Sequence, residues 1–113
     1  MDAAPTAIWD LDRLDEYLDL LAAVQFTGEW IRPFREGRLH PWRPSDPARV
    51  LRRFPGQALI LHGAQDMGLP LPVAERLHDE VPTSQLVVIE SAGHMAHFEQ
   101  PTQWAGAVND FLR

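Results

Sequence analysis

Two short, uninterrupted apolar runs in the C-terminal half of the chain restrict its fold more than any other feature of the sequence. Residues 58–61 and 86–89 have the length and the branched side chains of strands buried on both faces. A helical pattern over roughly residues 72–80 lies between them, and Gln100-Pro101 opens a final helix. This order predicts a parallel β-α-β unit with a closing helix. The predicted fold class is therefore α/β, and such a sheet is expected to continue into further strands.

The N-terminal half shows helical and proline-rich patterns instead of strand patterns. Leucines at three- and four-residue steps predict an amphipathic helix from about residue 10 to residue 24, with Asp10 or Asp12 capping its start. From residue 25 onward prolines break any long helix, and Asp46-Pro47 predicts a short one that runs to about Arg52. We place a boundary near Phe54, which divides the chain into residues 1–53 and 54–113.

The charge balance and the absent residue types exclude several classes of protein. With 16 acidic and 10 basic residues the net charge is −6, which argues against binding to nucleic acid or to an anionic membrane surface. The chain has no cysteine, so disulfides, thiolate nucleophiles and cysteine-bound zinc are excluded. The first residues lack the pattern of a signal peptide, and no apolar run reaches the length of a membrane span. The expectation is a soluble, cytoplasmic protein, although the absence of cysteine fits a secreted one too.

Each predicted strand runs into a turn that carries polar side chains. The first leads through His62 and Gly63 to Asp66, and the second leads through Gly93 to His94. Because the carboxyl ends of parallel strands meet at one edge of a sheet, Asp66 and His94 are expected to lie side by side. The carboxylate would then hold one ring nitrogen of the imidazole, and the other nitrogen would be able to act as a general base. The two glycines would allow the tight turns that present these side chains.

These turns resemble those of the α/β-hydrolase superfamily. Residues 59–66 are similar to the strand and acid turn of that family, and residues 91–101 are similar to its histidine loop and last helix. Asp before His is also the family's order along the chain. The resemblance covers about residues 54–113, whereas residues 1–53 resemble, more loosely, the end of the helical lid segment. It implies a C-terminal β-α-β-α portion of the fold, with Asp66 as the triad acid and His94 as the base.

The sequence departs from the family at the nucleophile. Ser45, Ser84 and Ser91 are its only serines, and none lies in a G-x-S-x-G context. The glycine-rich oxyanion segment is also missing, so an acid and a base alone should give little or no hydrolysis. In addition, 113 residues are about half of what a complete enzyme of this architecture usually needs.

Several functions therefore stay open for this chain. The first is hydrolysis of an ester- or amide-type acyl substrate by a Ser-Asp-His mechanism whose serine is not in this sequence. The chain would then be a truncated reading frame or one half of a split enzyme with a nucleophile-bearing partner chain, and no organic cofactor or metal is implied. The second is a non-enzymatic interaction module that binds itself or a partner, since an open sheet edge invites pairing. The third is an inactive fragment.

Other candidate residues have simpler interpretations. The spacing of His94 and His97, even with Glu99 nearby, does not match a zinc site. Glu99 is expected to be structural, at the N-terminus of the last helix where negative charge is favourable. His62 is expected to be a hydrogen-bonded structural histidine rather than a residue that lines a pocket.

Aromatic and basic groups in residues 25–53 leave two alternatives open. Trp30, Phe34 and Trp42 either line a substrate cavity or belong to a core that further polypeptide would cover. Three arginines in the short helix predicted after Pro47 indicate a solvated helix face rather than an anion site. These arginines are Arg49, Arg52 and Arg53.

Overall fold

The computed structural model describes residues 4–40 and 44–113. Its helices are α1 (Ala4–Ala7), α2 (Leu14–Ala23), α3 (Ile31–Arg35), α4 (Pro47–Arg53), α5 (Leu71–Glu80), α6 (Ala96–Glu99) and α7 (Pro101–Leu112), with a 3₁₀ turn over Leu11–Arg13. Its strands are β1 (Ala58–Gly63) and β2 (Ser84–Ile89). Along residues 4–40 and 44–113, no helix is long and apolar enough to cross a membrane.

The two strands form a parallel sheet, as the sequence predicted. The register pairs Ala58 with Ser84 and Gly63 with Ile89, so both strands end at the same edge. The crossover helix α5 and the last helix α7 each pack against both strands. The α/β fold class and the β-α-β-α order are therefore confirmed.

The strands are less buried than their apolar runs predicted. Most residues of β1 and β2 are only half-buried, and Gly63, Ser84 and Ile89 are the buried ones. The sequence predicted strands covered on both faces, and this prediction was wrong for the chain by itself. The reason is that the described part of the sheet has only two strands, so each strand has one open edge and little to cover it.

The N-terminal helix begins with a tighter turn than its periodicity predicted. The Asp10 side chain accepts a hydrogen bond from the Asp12 N–H and so caps the 3₁₀ turn, after which α2 continues the helix. The leucine face of α2 and the buried Tyr17 pack with Ile8 against Met95 and Phe98. This small core joins the N-terminal helices to the C-terminal half of the chain. The division at residues 53 and 54 stays a prediction.

The remaining N-terminal elements agree with the proline pattern. Asp46 caps α4 through a hydrogen bond from the Arg49 N–H, and Pro47 occupies the first helical turn. Arg52 is not merely solvated, because its guanidinium donates to the carbonyl oxygen of Glu80 at the end of α5. Trp30 and Phe34 meet edge to face at 5.9 Å and remain 54% and 61% exposed. Trp42 lies outside the described residues.

Candidate functional site

Asp66 lies in the turn that follows β1, where its carboxylate is enclosed by hydrogen-bond donors. The N–H groups of Gly68 and Leu69 both donate to Oδ1, each over 2.9 Å. The other oxygen, Oδ2, lies 2.9 Å from Nδ1 of His94. The side chain is only 3% exposed, so its hydrogen bonds operate largely out of water.

The surroundings of Asp66 keep this carboxyl group ionised. Burial acts to raise its pKa, but the hydrogen bonds from the Leu69 N–H, from His94 and from the Gly68 N–H together hold the pKa below its ordinary value. A negative charge is therefore present beside the imidazole throughout the neutral range.

His94 uses its two ring nitrogens differently. A carboxylate only accepts hydrogen bonds, so Nδ1 carries the proton that is donated to Asp66, and in the neutral ring Nε2 has a lone pair. The side chain is 48% exposed, and within residues 4–40 and 44–113 no hydrogen bond to Nε2 is present. The predicted juxtaposition of Asp66 and His94 is confirmed, whereas their catalytic roles stay a prediction.

The turn after β1 and the loop after β2 are held together by their backbones. Ala64 donates its N–H to the Ile89 carbonyl over 2.9 Å, and Gln65 donates its N–H to the Ala92 carbonyl over the same distance. In return, the Gln65 side chain accepts from the Ala92 N–H over 3.0 Å. These bonds fix the acid turn relative to the histidine loop.

Gly63 has a different role from the one that the sequence predicted. Its φ is not positive, so no left-handed turn requires glycine there. Instead, a Cβ at this position would lie 2.0 Å from the Gly93 carbonyl oxygen and 2.6 Å from that of Ala92. Glycine is needed because the histidine loop passes directly over the end of β1.

A cleft of about 210 Å³ opens beside the Asp66–His94 pair. His62 lies at its wall, 3.8 Å from Asp66 Oδ2, and its Nε2 is 2.6 Å from the Leu69 carbonyl oxygen. His62 is thus hydrogen-bonded, as predicted, but it also lines the cleft. The full lining comprises Leu61, His62, Gly63, Asp66, Leu69, His94, Ala96, His97 and Trp104. Among the residues described, no group of three His, Cys, Asp or Glu side chains has the arrangement of a metal site.

None of the three serines has the surroundings of a nucleophile elbow. Ser84 begins β2, is buried, and donates its hydroxyl to the Val81 carbonyl over 2.7 Å. Ser45 is exposed just before α4, and no strand leads into it. Ser91 follows β2 with a φ of 56°, in the same loop as His94. The pair therefore has no serine of the usual kind within this chain.

The structure gives Glu99 partners that sequence analysis missed. The side chain is buried, and its carboxylate accepts hydrogen bonds from the N–H groups of Gly93, Trp9 and Asp10. A structural role was predicted, but at the N-terminus of the last helix, whereas Glu99 ends the short helix α6. Two of the donors lie 89 and 90 positions away in the sequence, so no local pattern would have identified them.

The fold and the pair at its sheet edge define a class of protein. A parallel α/β unit presents a buried aspartate to an exposed histidine at the carboxyl ends of neighbouring strands, as hydrolases with an acid–histidine pair do. The model of the alpha/beta hydrolase family matches residues 2–107 of this sequence. The chain belongs to this family.

Several curated hydrolases are similar to this chain. A 2-hydroxymuconate semialdehyde hydrolase of Pseudomonas sp. (strain CF600) is 34% identical over 63 residues, which is 56% of this chain and 22% of that protein. A 2-hydroxy-6-oxo-2,4-heptadienoate hydrolase of Pseudomonas putida is 39% identical over 62 residues, 55% of this chain and 22% of that protein. The uncharacterized hydrolase YugF of Bacillus subtilis (strain 168) is 29% identical over 79 residues, 70% of this chain and 26% of that protein. The matched parts thus make up only 22% to 26% of the relatives' own length.

Proposed function

We propose that this chain contributes the acid and the general base of a hydrolase that acts on an ester, an amide or a related acyl compound. The attacking serine would belong to polypeptide outside this sequence. The observation that carries the proposal is the 2.9 Å hydrogen bond between His94 Nδ1 and Asp66 Oδ2. It leaves the second ring nitrogen directed away from the carboxylate, in a half-exposed side chain beside a cleft.

The proposed reaction gives each residue one task. His94 Nε2 removes the proton from the serine hydroxyl as its oxygen attacks the acyl carbon, and the imidazolium then gives this proton to the leaving group. Water repeats the sequence and releases the acid and the serine. Asp66 holds the proton-bearing Nδ1 in place and stabilises the imidazolium by its negative charge, which its lowered pKa maintains.

The family suggests an acyl substrate in general. The names of the similar proteins suggest which particular compounds to test first. Two of the similar proteins are named as hydrolases of 2-hydroxymuconate semialdehyde and of 2-hydroxy-6-oxo-2,4-heptadienoate. A 2-hydroxy-6-oxo-dienoate is therefore the first compound to test, beside a simple ester.

The decisive test is isolation of this protein from the cells that make it, followed by native mass spectrometry and an activity assay. We expect a stable complex with a polypeptide that carries G-x-S-x-G, and hydrolysis by that complex. His94→Ala in the complex should lower kcat by about 10⁴-fold or more, because the serine then has no base.

The control for this variant is Glu75→Ala, which changes an exposed residue of α5 that does not line the cleft. It should retain full activity. A folded His94→Ala complex with unchanged kcat would show that the assignment of the base is wrong.

A second candidate function, binding without catalysis, is favoured by the exposure of residues 22–40. Every residue of that segment except Pro33 is exposed, and the segment includes six large apolar side chains. A self-associated chain with no serine-bearing partner and no hydrolysis would support this alternative. The six side chains are Val24, Phe26, Trp30, Ile31, Phe34 and Leu39.

A further inference from the structure

The backbone that carries His94 has an irregular path. Between β2 and α6 the chain passes through Ser91 with a φ of 56°, a left-handed conformation that non-glycine residues rarely adopt. The His94 side chain has a single hydrogen bond within the described part of the chain, to Asp66. The direction of Nε2 therefore depends on this one hydrogen bond and on how the loop backbone is held.

The Glu99 carboxylate holds this loop through a backbone N–H group. Its Oε1 accepts from the N–H of Gly93, the residue before His94, over 2.9 Å, and from the Trp9 N–H over 2.8 Å. Its Oε2 accepts from the Asp10 N–H over 2.9 Å. The residue is only 5% exposed, so these donors have no ready replacement from water.

The same carboxylate fastens the N-terminal segment 7–10 onto the histidine loop. Met95 donates its N–H to the Ala7 carbonyl over 3.0 Å. A Cβ on Gly93 would lie 3.0 Å from the Trp9 nitrogen and 3.1 Å from the Ile8 carbonyl carbon. Gly93 is thus enclosed between segment 7–10 and the end of β1.

We propose that Glu99 is a positioning residue for His94, acting through the Gly93 N–H and the docked segment 7–10. The proposal rests on the proposed function, because it assigns Glu99 a part in directing the general base. A carboxylate suits this position since three donors converge on two oxygens, and a glutamine offers only one oxygen. In Glu99→Gln at least one N–H would face the amide NH₂ group, whereas in Glu99→Ala all three donors would lose their acceptor.

The primary test observes the Asp66–His94 hydrogen bond itself and needs no substrate. In ¹⁵N-labelled protein, the His94 Nδ1–H proton gives a downfield resonance that can be assigned by its loss in His94→Gln. We expect Glu99→Ala to lose this resonance or to speed its exchange with water by about tenfold or more. Glu99→Gln should give an intermediate rate.

The matched control is Glu90→Gln, which alters an exposed glutamate in the same connection and should behave as the wild type. If circular dichroism shows that Glu99→Ala does not fold, the proposal is tested by the exchange rate of the His94 Nδ1–H proton in Glu99→Gln. A folded variant of Glu99 whose resonance and exchange rate match the wild type would overturn the proposal.

The second readout is the activity of the serine-bearing complex. Loss of positioning should lower kcat by about ten- to a hundredfold with little change in KM.

The two proposals fail in different ways. A fully active His94→Ala complex would refute the proposed function, while the resonance of Nδ1–H would still report whether Glu99 holds the loop.

Discussion

Asp66 is a buried carboxylate whose two oxygens serve different partners. Oδ1 accepts from two N–H groups of its own turn, and Oδ2 accepts from His94. The turn therefore supports the carboxylate even without the histidine, and the histidine gains an ionised partner. Because the pKa of Asp66 is lower in the folded chain than its ordinary value, ionisation of this group is linked to folding.

Asp66→Asn should lower the free energy of unfolding at neutral pH by about 1–3 kcal/mol, since an amide has one acceptor oxygen and cannot accept both from the N–H groups of its own turn and from His94. The stabilisation that Asp66 provides is present above its unfolded-state pKa and is lost as the pH falls through its folded-state pKa. The difference between wild type and variant should therefore shrink in acid. Urea titrations of both proteins at several pH values measure this difference in the free energy of unfolding.

The control for this prediction is Asp110→Asn, at an exposed position of the last helix. It should change the free energy of unfolding by less than about 0.5 kcal/mol. A difference between wild type and Asp66→Asn that stays constant down to the lowest pH would contradict the assignment of the lowered pKa.

At the scale of elements, the site depends on how closely the end of β1 approaches the loop after β2. Besides the Asp66–His94 bond, three hydrogen bonds join residues 64–65 to residues 89–92, and a Cβ on Gly63 would meet the carbonyl groups of Ala92 and Gly93. The approach brings the acid turn and the histidine loop within hydrogen-bond distance of each other. A side chain placed between them would separate Asp66 from His94.

Gly63→Ala should test this close approach. Its Cβ would meet backbone oxygen atoms at 2.0 and 2.6 Å, so the loop must shift, and we expect a loss of about 2–3 kcal/mol in the free energy of unfolding. The His94 Nδ1–H resonance should weaken at the same time. Denaturant unfolding and NMR spectroscopy of the same sample provide both measurements.

Gly106→Ala is the matched control for the glycine substitution. Gly106 lies inside α7, and a Cβ there would meet no heavy atom within 4 Å. Alanine should therefore stabilise the chain by about 0.5–1 kcal/mol through its higher helix propensity. Equal effects of the two substitutions would show that the contact at Gly63 is not a constraint.

At the scale of the whole molecule, the chain is more extended than a compact domain of its length. Its radius of gyration is 16.4 Å, against about 13 Å expected for a compact domain of this many residues. Its accessible surface is 8600 Å², against about 6,300 Å² for a compact monomer of this mass. The exposed apolar segment 22–40 and the open strand edges account physically for this excess, and they favour a chain that binds further polypeptide.

In the proposed complex, replacing Trp30 and Phe34 together by serine should weaken binding of the serine-bearing polypeptide by about tenfold or more, because exposed aromatic residues often dominate an interface. The free energy of unfolding of the chain alone should hardly change, since both side chains are more than half exposed. Titration calorimetry measures the affinity, with Leu112→Ser as the control. Unchanged affinity of the double variant would exclude this segment from the interface.

The sequence by itself determined the two strands, the helix between them, the last helix and the polar residues that follow each strand, but it did not predict α1 or α6. Periodicity, proline positions and the Asp46 cap depend on a few neighbouring residues, so they can be recognised in the sequence before the tertiary structure is known. They placed Asp66 and His94 after successive parallel strands, and this was enough to predict their contact. The α/β class followed from the same local patterns, whereas the family followed from the resemblance of residues 59–66 and 91–101 to turns of α/β-hydrolases.

Only the tertiary structure decided the features that depend on distant segments. The partners of Glu99, the close approach over Gly63 and the contact from Arg52 to Glu80 all join parts of the chain that are far apart in sequence. The composition of the strands likewise did not predict that they are only half-buried. The burial of a strand depends on which other elements pack against it. An apolar run shows only that the strand can be buried, and it does not identify those elements.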